Sequence, residues 1–246
     1  MNIMSVLTLA TLFGLSFNTI ASPAIGIGSM YDLLQPGENN LVKKVYNSGD
    51  STAFVRVDIL EIRLDGKGGE QELVPQKLDG DALNKNRLIA TPQRMIIPPS
   101  EFQSVRLLWP GTREKERYYR VRFTPVAPDK KNDFGLTEQQ LNEYKSSIKA
   151  GVNILTGYGS ILYVMPDNAV FNTVVTNSSG SVSITNSGNA TVVIDDVRQC
   201  SEKNNECSSP TRAFVIPGRN FVIKKDNGKN VRFRLHEAKK SKEFSL

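Results

Sequence analysis

The stretch Val152-Asn153-Ile154-Leu155-Thr156-Gly157-Tyr158-Gly159-Ser160-Ile161-Leu162-Tyr163-Val164-Met165-Pro166 decides how the rest of the chain is read. It has the character of one long strand lying where two halves of the chain meet. Side chains of a strand alternate with a period of two. Val152, Ile154, Thr156, Tyr158, Ser160, Leu162 and Val164 therefore point one way, and Asn153, Leu155, Gly157, Gly159, Ile161, Tyr163 and Met165 the other. Both rows carry apolar residues. Either both faces are covered by the protein itself, or one is an apolar strip that something else covers. We read it as the second, a strand lent to a partner.

Upstream of this strand the chain is a series of short strands divided by Gly/Pro turns. Ala24 to Leu34 is extended in character and closes on Gln35-Pro36-Gly37. Leu41 to Tyr46 ends at Asn47-Ser48-Gly49-Asp50, and Ala53 to Ile62 alternates until Asp65-Gly66 breaks it. Strands around Leu88 to Ala90 and Gln103 to Trp109 follow, separated by Thr91-Pro92 and Pro98-Pro99; Arg117 to Phe123 alternates Tyr119, Val121 and Phe123 with Arg120 and Arg122. Repeated short strands between turn residues predict an antiparallel sandwich or barrel rather than a parallel sheet alternating with helices. Downstream, Pro166 to Asn168 punctuates the chain and a second strand set begins. It runs from Ala169 to His236 and is bounded by turns such as Asn186-Ser187-Gly188-Asn189 and Asp226-Asn227-Gly228. The lysine-rich tail Lys239 to Glu243 is expected to be a frayed end.

Between Pro128 and Gly151 the pattern changes. Thr137-Glu138-Gln139-Gln140 has the form of a capping box, and Leu141, Tyr144 and Ile148 recur at helical spacing. A short helix or a mobile loop is expected just before the long strand. Phe134, Leu136 and Leu141 either pack on the sandwich or add to the binding surface.

Composition narrows the function. A formal net charge of +6 on 246 residues is mild basicity, and no nucleic-acid motif accompanies it. Residues 1–21 carry no charged side chain, and Val6 to Phe17 is an apolar run followed by the small residues Thr19 and Ala21. That is the form of a secretory signal peptide cleaved after Ala21, although its basic leading segment is missing; a retained membrane anchor is the alternative. Cys200 and Cys207 are the only cysteines. In an exported chain they are expected to close a polar hairpin as a disulfide, and with a single histidine, His236, a four-ligand zinc site cannot be assembled. No pairing of nucleophile and base, no opposed carboxylates and no phosphate loop of the required form is evident, so no catalytic residue, cofactor or metal ligand is assigned. His236 reads as a surface strand residue.

The run Thr91-Pro92-Gln93-Arg94-Met95-Ile96-Ile97-Pro98-Pro99, continued through Gln103, Val105, Arg106 and Leu107, resembles a motif of the PapD-like periplasmic chaperones of fimbrial assembly. Tyr118-Tyr119-Arg120-Val121-Arg122-Phe123, the ending Leu162-Tyr163-Val164-Met165-Pro166 and the segment from Ile184 to Thr191 agree with it. The insertion before the long strand is most similar to the alternate, class 5 fimbrial chaperones. The resemblance implies an all-β chain of two immunoglobulin-like sandwiches set at an angle. Its divisions would be a signal peptide over 1–21, an N-terminal domain over 22–166 and a C-terminal domain over 167–246. It implies that an edge strand is inserted into an incomplete fimbrial subunit by β-augmentation, that the subunit passes to an outer-membrane usher, and that the free chaperone can self-associate. Counting back from Pro166, the subunit-binding positions fall on Val152, Ile154, Thr156 and Tyr158. The family also grips the subunit's C-terminal carboxylate with a cleft Arg and Lys. Those positions fall near Asp32 and on Ile161, neither of them basic, so no anchor is carried over. Arg106 matches the motif and serves equally well as a structural salt-bridge residue.

The leading expectation is thus a periplasmic fimbrial chaperone with no enzymatic activity. A structural pilus subunit or adhesin is the alternative; it would be one incomplete sandwich with an N-terminal extension. A secreted carbohydrate-active β-protein is less favoured.

Overall fold

The computed structural model describes residues 22–65, 70–73, 87–129, 134–148, 155–201 and 206–246. In chain order its first part contains β1 (Ile25–Gly26), β2 (Tyr31–Leu34), β3 (Asn40–Asn47), β4 (Ala53–Leu64), β5 (Glu70–Leu73), β6 (Ile89–Thr91), β7 (Arg94–Ile97), β8 (Phe102–Leu108), β9 (Arg117–Pro125), α1 (Glu138–Ile148) and β10 (Tyr158–Val164). The second part contains β11 (Thr173–Asn177), β12 (Ser181–Asn186), β13 (Val192–Ser201), β14 (Thr211–Val215), β15 (Asn220–Lys224), β16 (Lys229–Glu237) and β17 (Lys240–Ser245).

The first part is a sandwich. One sheet has the order β1-β3-β8-β6 and the other β2-β10-β9-β4-β5, with β7 also paired to β4. The alternation read in the sequence is what fills the space between them. Val55 and Val57 of β4, Tyr119, Val121 and Phe123 of β9, and Leu162 and Val164 of β10 meet Val45, Val105 and Leu107 from the facing sheet. The extended segment expected over Ala24 to Leu34 is two strands, one in each sheet. β1 runs antiparallel to β3, β2 runs parallel to β10, and Gly28 turns the corner between them at φ 67°. An all-antiparallel expectation is therefore corrected at this one pair.

The helix is present, which settles the choice between helix and loop. The Gln140 N–H donates to Thr137 Oγ1 at 3.2 Å, and Thr137 N–H to Gln140 Oε1 at 2.9 Å, closing the capping box read from the sequence. Leu136 and Leu141 are buried, and Phe54 of β4 meets the rings of Phe134 and Tyr144 edge-on at 5.2 and 4.9 Å. The apolar face of α1 thus packs on the first sandwich. The side chain of Ile148 lies outside the described residues.

The second part is a smaller sandwich of β11-β12-β15 against β14-β13-β16-β17. Its core holds Val182, Ile184, Val192, Ile194, Val231 and Phe233. β13 carries a bulge between Asp195 and Arg198, where Asp196 takes a positive φ of 51°. Cys200 and Cys207 are disulfide-bonded. The C-terminal tail is not frayed. β17 pairs with β16 from Glu237↔Lys240 to Arg232↔Ser245, Phe244 stacks on Phe233 at 4.8 Å, and Leu246 exchanges backbone hydrogen bonds with Val231. Its lysines hid the strand because charge is what an outer edge strand carries to stay unpaired with other chains.

Each sandwich also contains the same device. Asn47 and Asn186, both buried, stand before Ser-Gly at the end of β3 and β12. Asn47 Nδ2 donates to the carbonyls of Ser51 and Ile97 at 2.8 and 3.0 Å, and Asn186 Nδ2 to those of Ala190 and Val215 at 2.9 and 2.8 Å. Both side-chain oxygens accept the N–H of the glycine two residues on, at 3.1 and 3.0 Å. A Cβ on Gly49 would stand 2.2 Å from the carbonyl oxygen of Ser22, and one on Gly188 2.2 Å from that of Val170. Each turn therefore presses its glycine against the segment that enters its own sandwich.

Candidate functional site: an open strand edge beside an interdomain cleft

β10 is held unevenly. On one side it pairs with β9 over its whole length, from Tyr158↔Phe123 to Val164↔Arg117. On the other it pairs with β2 only from Ile161↔Tyr31 to Val164↔Leu34, closed by the Ile161 N–H donating to the Met30 carbonyl at 2.8 Å. Among the described residues no strand covers Tyr158 to Ser160 on that side. Their backbone groups form an open edge that a further strand can use.

The strand read as continuous from Val152 begins, as a strand, at Tyr158. The β9 ladder ends at Pro125, which has no N–H to donate, and Gly157 comes so close that a Cβ there would meet the Phe123 carbonyl at 3.0 Å. Of the positions assigned to subunit binding, Tyr158 is half-buried against the first core, on the inward row with Ser160, Leu162 and Val164. Thr156 is exposed and in no strand. Val152 and Ile154 lie outside the described residues.

The outward row of β10, Gly159, Ile161 and Tyr163, faces the cleft between the sandwiches. The ring of Phe214 from β14 is inserted there, stacked on Tyr31 at 4.7 Å and on Tyr163 at 5.1 Å; Tyr118 closes edge-on to Tyr163 at 5.8 Å. Ile161 stands between Tyr31 and Arg120 in the sheet. Asp32 points the other way, between the sheets, where buried Lys43 reaches its carboxylate at 2.7 Å and the Ser29 carbonyl at 2.5 Å. The cleft positions of β2 are therefore Tyr31 and Leu33. Arg120 and Arg122, on the cleft face of β9, both bond the carboxylate of Glu72.

Among the described residues, two part-buried polar contacts join one sandwich to the other, beside an exposed Lys239–Glu38 pair at 4.0 Å. Arg113, almost fully buried, reaches Asp167 Oδ1 through Nε at 2.8 Å and Nη2 at 2.7 Å, and donates to the Gln35 carbonyl at 3.0 Å. Burial alone would raise the Asp167 carboxyl; the Arg113 backbone N–H, its side-chain hydrogen bond and its charge more than offset this and hold it below the usual carboxylate range. The second contact is Glu116, which accepts from Thr191 N–H at 2.8 Å, Thr191 Oγ1 at 2.9 Å and Tyr118 OH at 2.8 Å. Burial pushes its carboxyl up, opposed by those hydrogen bonds. Between the sandwiches lies a cavity of about 220 Å³, lined by Leu33, Met165, Asp195, Arg212 and His236 among others. His236 is thus a cleft residue and not a plain surface one. Arg212 binds Asp195 through two hydrogen bonds, at 2.9 and 2.8 Å, and these hold the Asp195 carboxyl low.

Sequence reading missed Arg113, Glu116 and Phe214. Their partners stand 54 residues away for Arg113 and 75 for Glu116, and no periodicity marks a contact across that distance.

No family model matches the chain. The probable fimbrial chaperone EcpB of Escherichia coli K12 is 26% identical over 221 residues, 87% of this chain and 86% of its own length. One of the CFA/I fimbrial subunits of Escherichia coli is 25% identical over 192 residues, 76% and 74% of the two chains. The crystal structure of the class 5 fimbriae chaperone CfaA shares the fold with a TM-score of 0.53 at 20% identity, covering 90% of this chain and 98% of that one. The chain is thus similar along most of its length to a fimbrial chaperone, and it shares the fold of two immunoglobulin-like sandwiches with a PapD-like one.

Proposed function

We propose that the chain is a periplasmic chaperone that holds fimbrial subunits by donating the strand that ends in β10 and passes them to an outer-membrane usher. The observation that carries the reading is the half-open edge of β10: on the side away from β9 it is rooted on β2 from Ile161 onward and, among the described residues, has no strand before it. A strand added there satisfies its backbone hydrogen bonds on Tyr158 to Ser160, while side chains on one row of the preceding segment enter the subunit's groove. Val152, Ile154 and Thr156 are the donor positions, with Tyr158 at the root. The division of the chain into a signal peptide over 1–21 and domains over 22–166 and 167–246 belongs to the same reading, as do export to the periplasm and a non-catalytic role.

The name of one relative, which calls it a component of the CFA/I fimbriae, raises the alternative of a structural pilus protein. Two sandwiches in one chain speak against it, since a pilin that awaits its donor strand is a single incomplete one. The test is recovery of the tagged chain from the native periplasm with identification of what co-purifies. A fimbrial subunit is expected, and the Val152→Asp/Ile154→Asp variant should lose it while remaining folded by circular dichroism. Undiminished retention by that variant refutes the donor assignment.

A further inference from the structure

The second sandwich ends its sheets in four edge strands, and three of them are guarded by charge. β14 carries Arg212, β15 Lys224, and β17 Lys240, Lys242 and Glu243. The fourth, β11, reads Thr173-Val174-Val175-Thr176-Asn177, with no charged residue and no proline. Its register with β12 runs without a bulge from Thr173↔Asn186 to Asn177↔Val182. Charge, proline and bulges are the means by which edge strands avoid other chains. Among the described residues no strand pairs with the far side of β11.

The sheet face beside that edge is equally plain. Val175 packs against the core, while Val174 and Thr176 point outward beside Thr185 and Ser183 of β12, which in turn stand beside Asn220 and Val222 of β15. Val174 and Val222 are exposed. This row meets its first charge at Lys224, opposite Ser181 and two strands from the edge.

The composition of the edge says what fits it. The chain carries a formal net charge of +6, so two copies repel each other except where neither presents a cation. β11 is such a place, and it is its own complement. Directly opposed residues of an antiparallel pair share a face, so a two-fold axis that keeps both cores on one side of the sheet has to pass through a residue and not between two. An axis at Val175, the middle residue, pairs all five positions. Val175 then stands opposite Val175 of the second copy, Val174 opposite Thr176, and Thr173 opposite Asn177, with no like charges opposed.

We infer that β11 is the interface of a symmetric dimer of this chain, in which two three-stranded sheets join into one of six strands. A five-residue strand is about 17 Å long, and one strand pair covers less than the roughly 1,200 Å² of a stable complex, so the dimer is weak and reversible. It leaves the open edge of β10 free in both copies and is distinct from any association through that edge.

Sedimentation of the full mature chain between about 10 and 500 μM, the range in which an interface this small associates, tests it. The sedimentation coefficient of the wild type should rise with concentration. Thr176→Lys, at an outward position and checked for folding by circular dichroism, should weaken the dimer at least about tenfold, and Val152→Asp/Ile154→Asp should dimerise as the wild type does. Register is read separately. Val174→Cys and Thr176→Cys chains mixed under air, with oxygen accepting the electrons, should form a disulfide-linked dimer on a non-reducing gel, because opposed residues come within disulfide reach; each chain alone should stay monomeric on that gel. A wild type that stays monomeric throughout, or mixed cysteine chains that link no better than either alone, overturns the inference. So does a dimer that survives Thr176→Lys and is lost in Val152→Asp/Ile154→Asp, which would place the association on the segment leading into β10.

Discussion

The contact between Arg113 and Asp167 makes a prediction in which the more exposed partner matters more. The Arg113 side chain is 3% exposed and that of Asp167 41%. Replacing Arg113 by Met keeps most of the stem's volume and removes its hydrogen bonds to Asp167, Gln35 and, at 3.4 Å, Leu34. None of these acceptors is orphaned. The Leu34 carbonyl still accepts from Met165 N–H and that of Gln35 from Glu38 N–H, and Asp167 keeps the residue 113 backbone N–H and water. Hydrogen bonds to charged groups contribute about 1.5–3 kcal/mol each, but removing the guanidinium also relieves a desolvation cost of several kcal/mol. A net loss of about 1 kcal/mol is expected for Arg113→Met. Asp167→Ala is different, because it leaves the buried cation with two carbonyls as its only described partners and also strips the acceptor from the Arg113 N–H. Breaking a buried pair from that side costs about 3 kcal/mol. Urea denaturation of the mature chain with linear extrapolation measures both, with m-values checking that the unfolding unit is unchanged. A silent Asp167→Ala beside a severe Arg113→Met would refute this reasoning, because it would mean that the hydrogen bonds outweigh the cost of a stranded charge.

Gly49→Ala and Gly188→Ala each place a Cβ 2.2 Å from a backbone oxygen and should lower stability by about 2–3 kcal/mol, whereas alanine at Gly180, where nothing lies within 4 Å, should be nearly silent; urea midpoints compare the three. Phe214→Ala removes two ring stacks across the cleft, worth about 1–2 kcal/mol together, and should widen the distribution of interdomain distances in solution scattering; an unchanged profile would show that the polar contacts suffice. Because the folded-state pKa of Glu116 is raised, the folded chain binds more protons than the unfolded one from about the ordinary glutamate pKa up to the raised value. Its contribution to stability should therefore be greatest in acid and fall as pH rises through that window. Glu116→Gln should flatten that component of the pH–stability curve, and an unchanged slope would count against it.

What was legible in the sequence was whatever repeats at short range. Tyr119, Val121 and Phe123 alternate with arginines and form the core row of β9; Thr137 and Gln140 cap α1. Short-range signals fail where an element's chemistry imitates something else. Lys240 to Lys242 look like a solvated tail, yet β17 is paired along its length with β16, and it is the two lysine side chains that are in water. Alternation also cannot say where a strand stops being part of a sheet. The even row from Val152 to Val164 is one periodic pattern, but Pro125 on the neighbouring strand ends the ladder at Tyr158, and nothing inside the pattern records that. Likewise counting along the sequence puts a cleft position near Asp32, while the pleat of β2 puts Tyr31 and Leu33 on the cleft and Asp32 on Lys43.

A strand that is both rooted and lent has to satisfy opposed demands, and β10 meets them by dividing its two edges and its two ends. The C-terminal end is paired on both sides, its inward row of Leu162 and Val164 fully buried, and it is stacked through Tyr163 against the second sandwich. Pulling it out would uncover core from both sheets. The N-terminal end keeps β9 on one side only, and then loses even that where Pro125 stops donating. The cost of leaving backbone groups unpaired is thereby confined to residues that water or a partner can reach. Gly157 and Gly159 serve this boundary in different ways. The first lets the chain pass so close that a Cβ there would meet the Phe123 carbonyl at 3.0 Å as the ladder ends, and the second leaves room for Arg120 above the open edge. Enlarging Gly159 should therefore disturb the position of Arg120 without loosening the core, since the inward row of β10 begins with Tyr158 and Ser160 on either side of it.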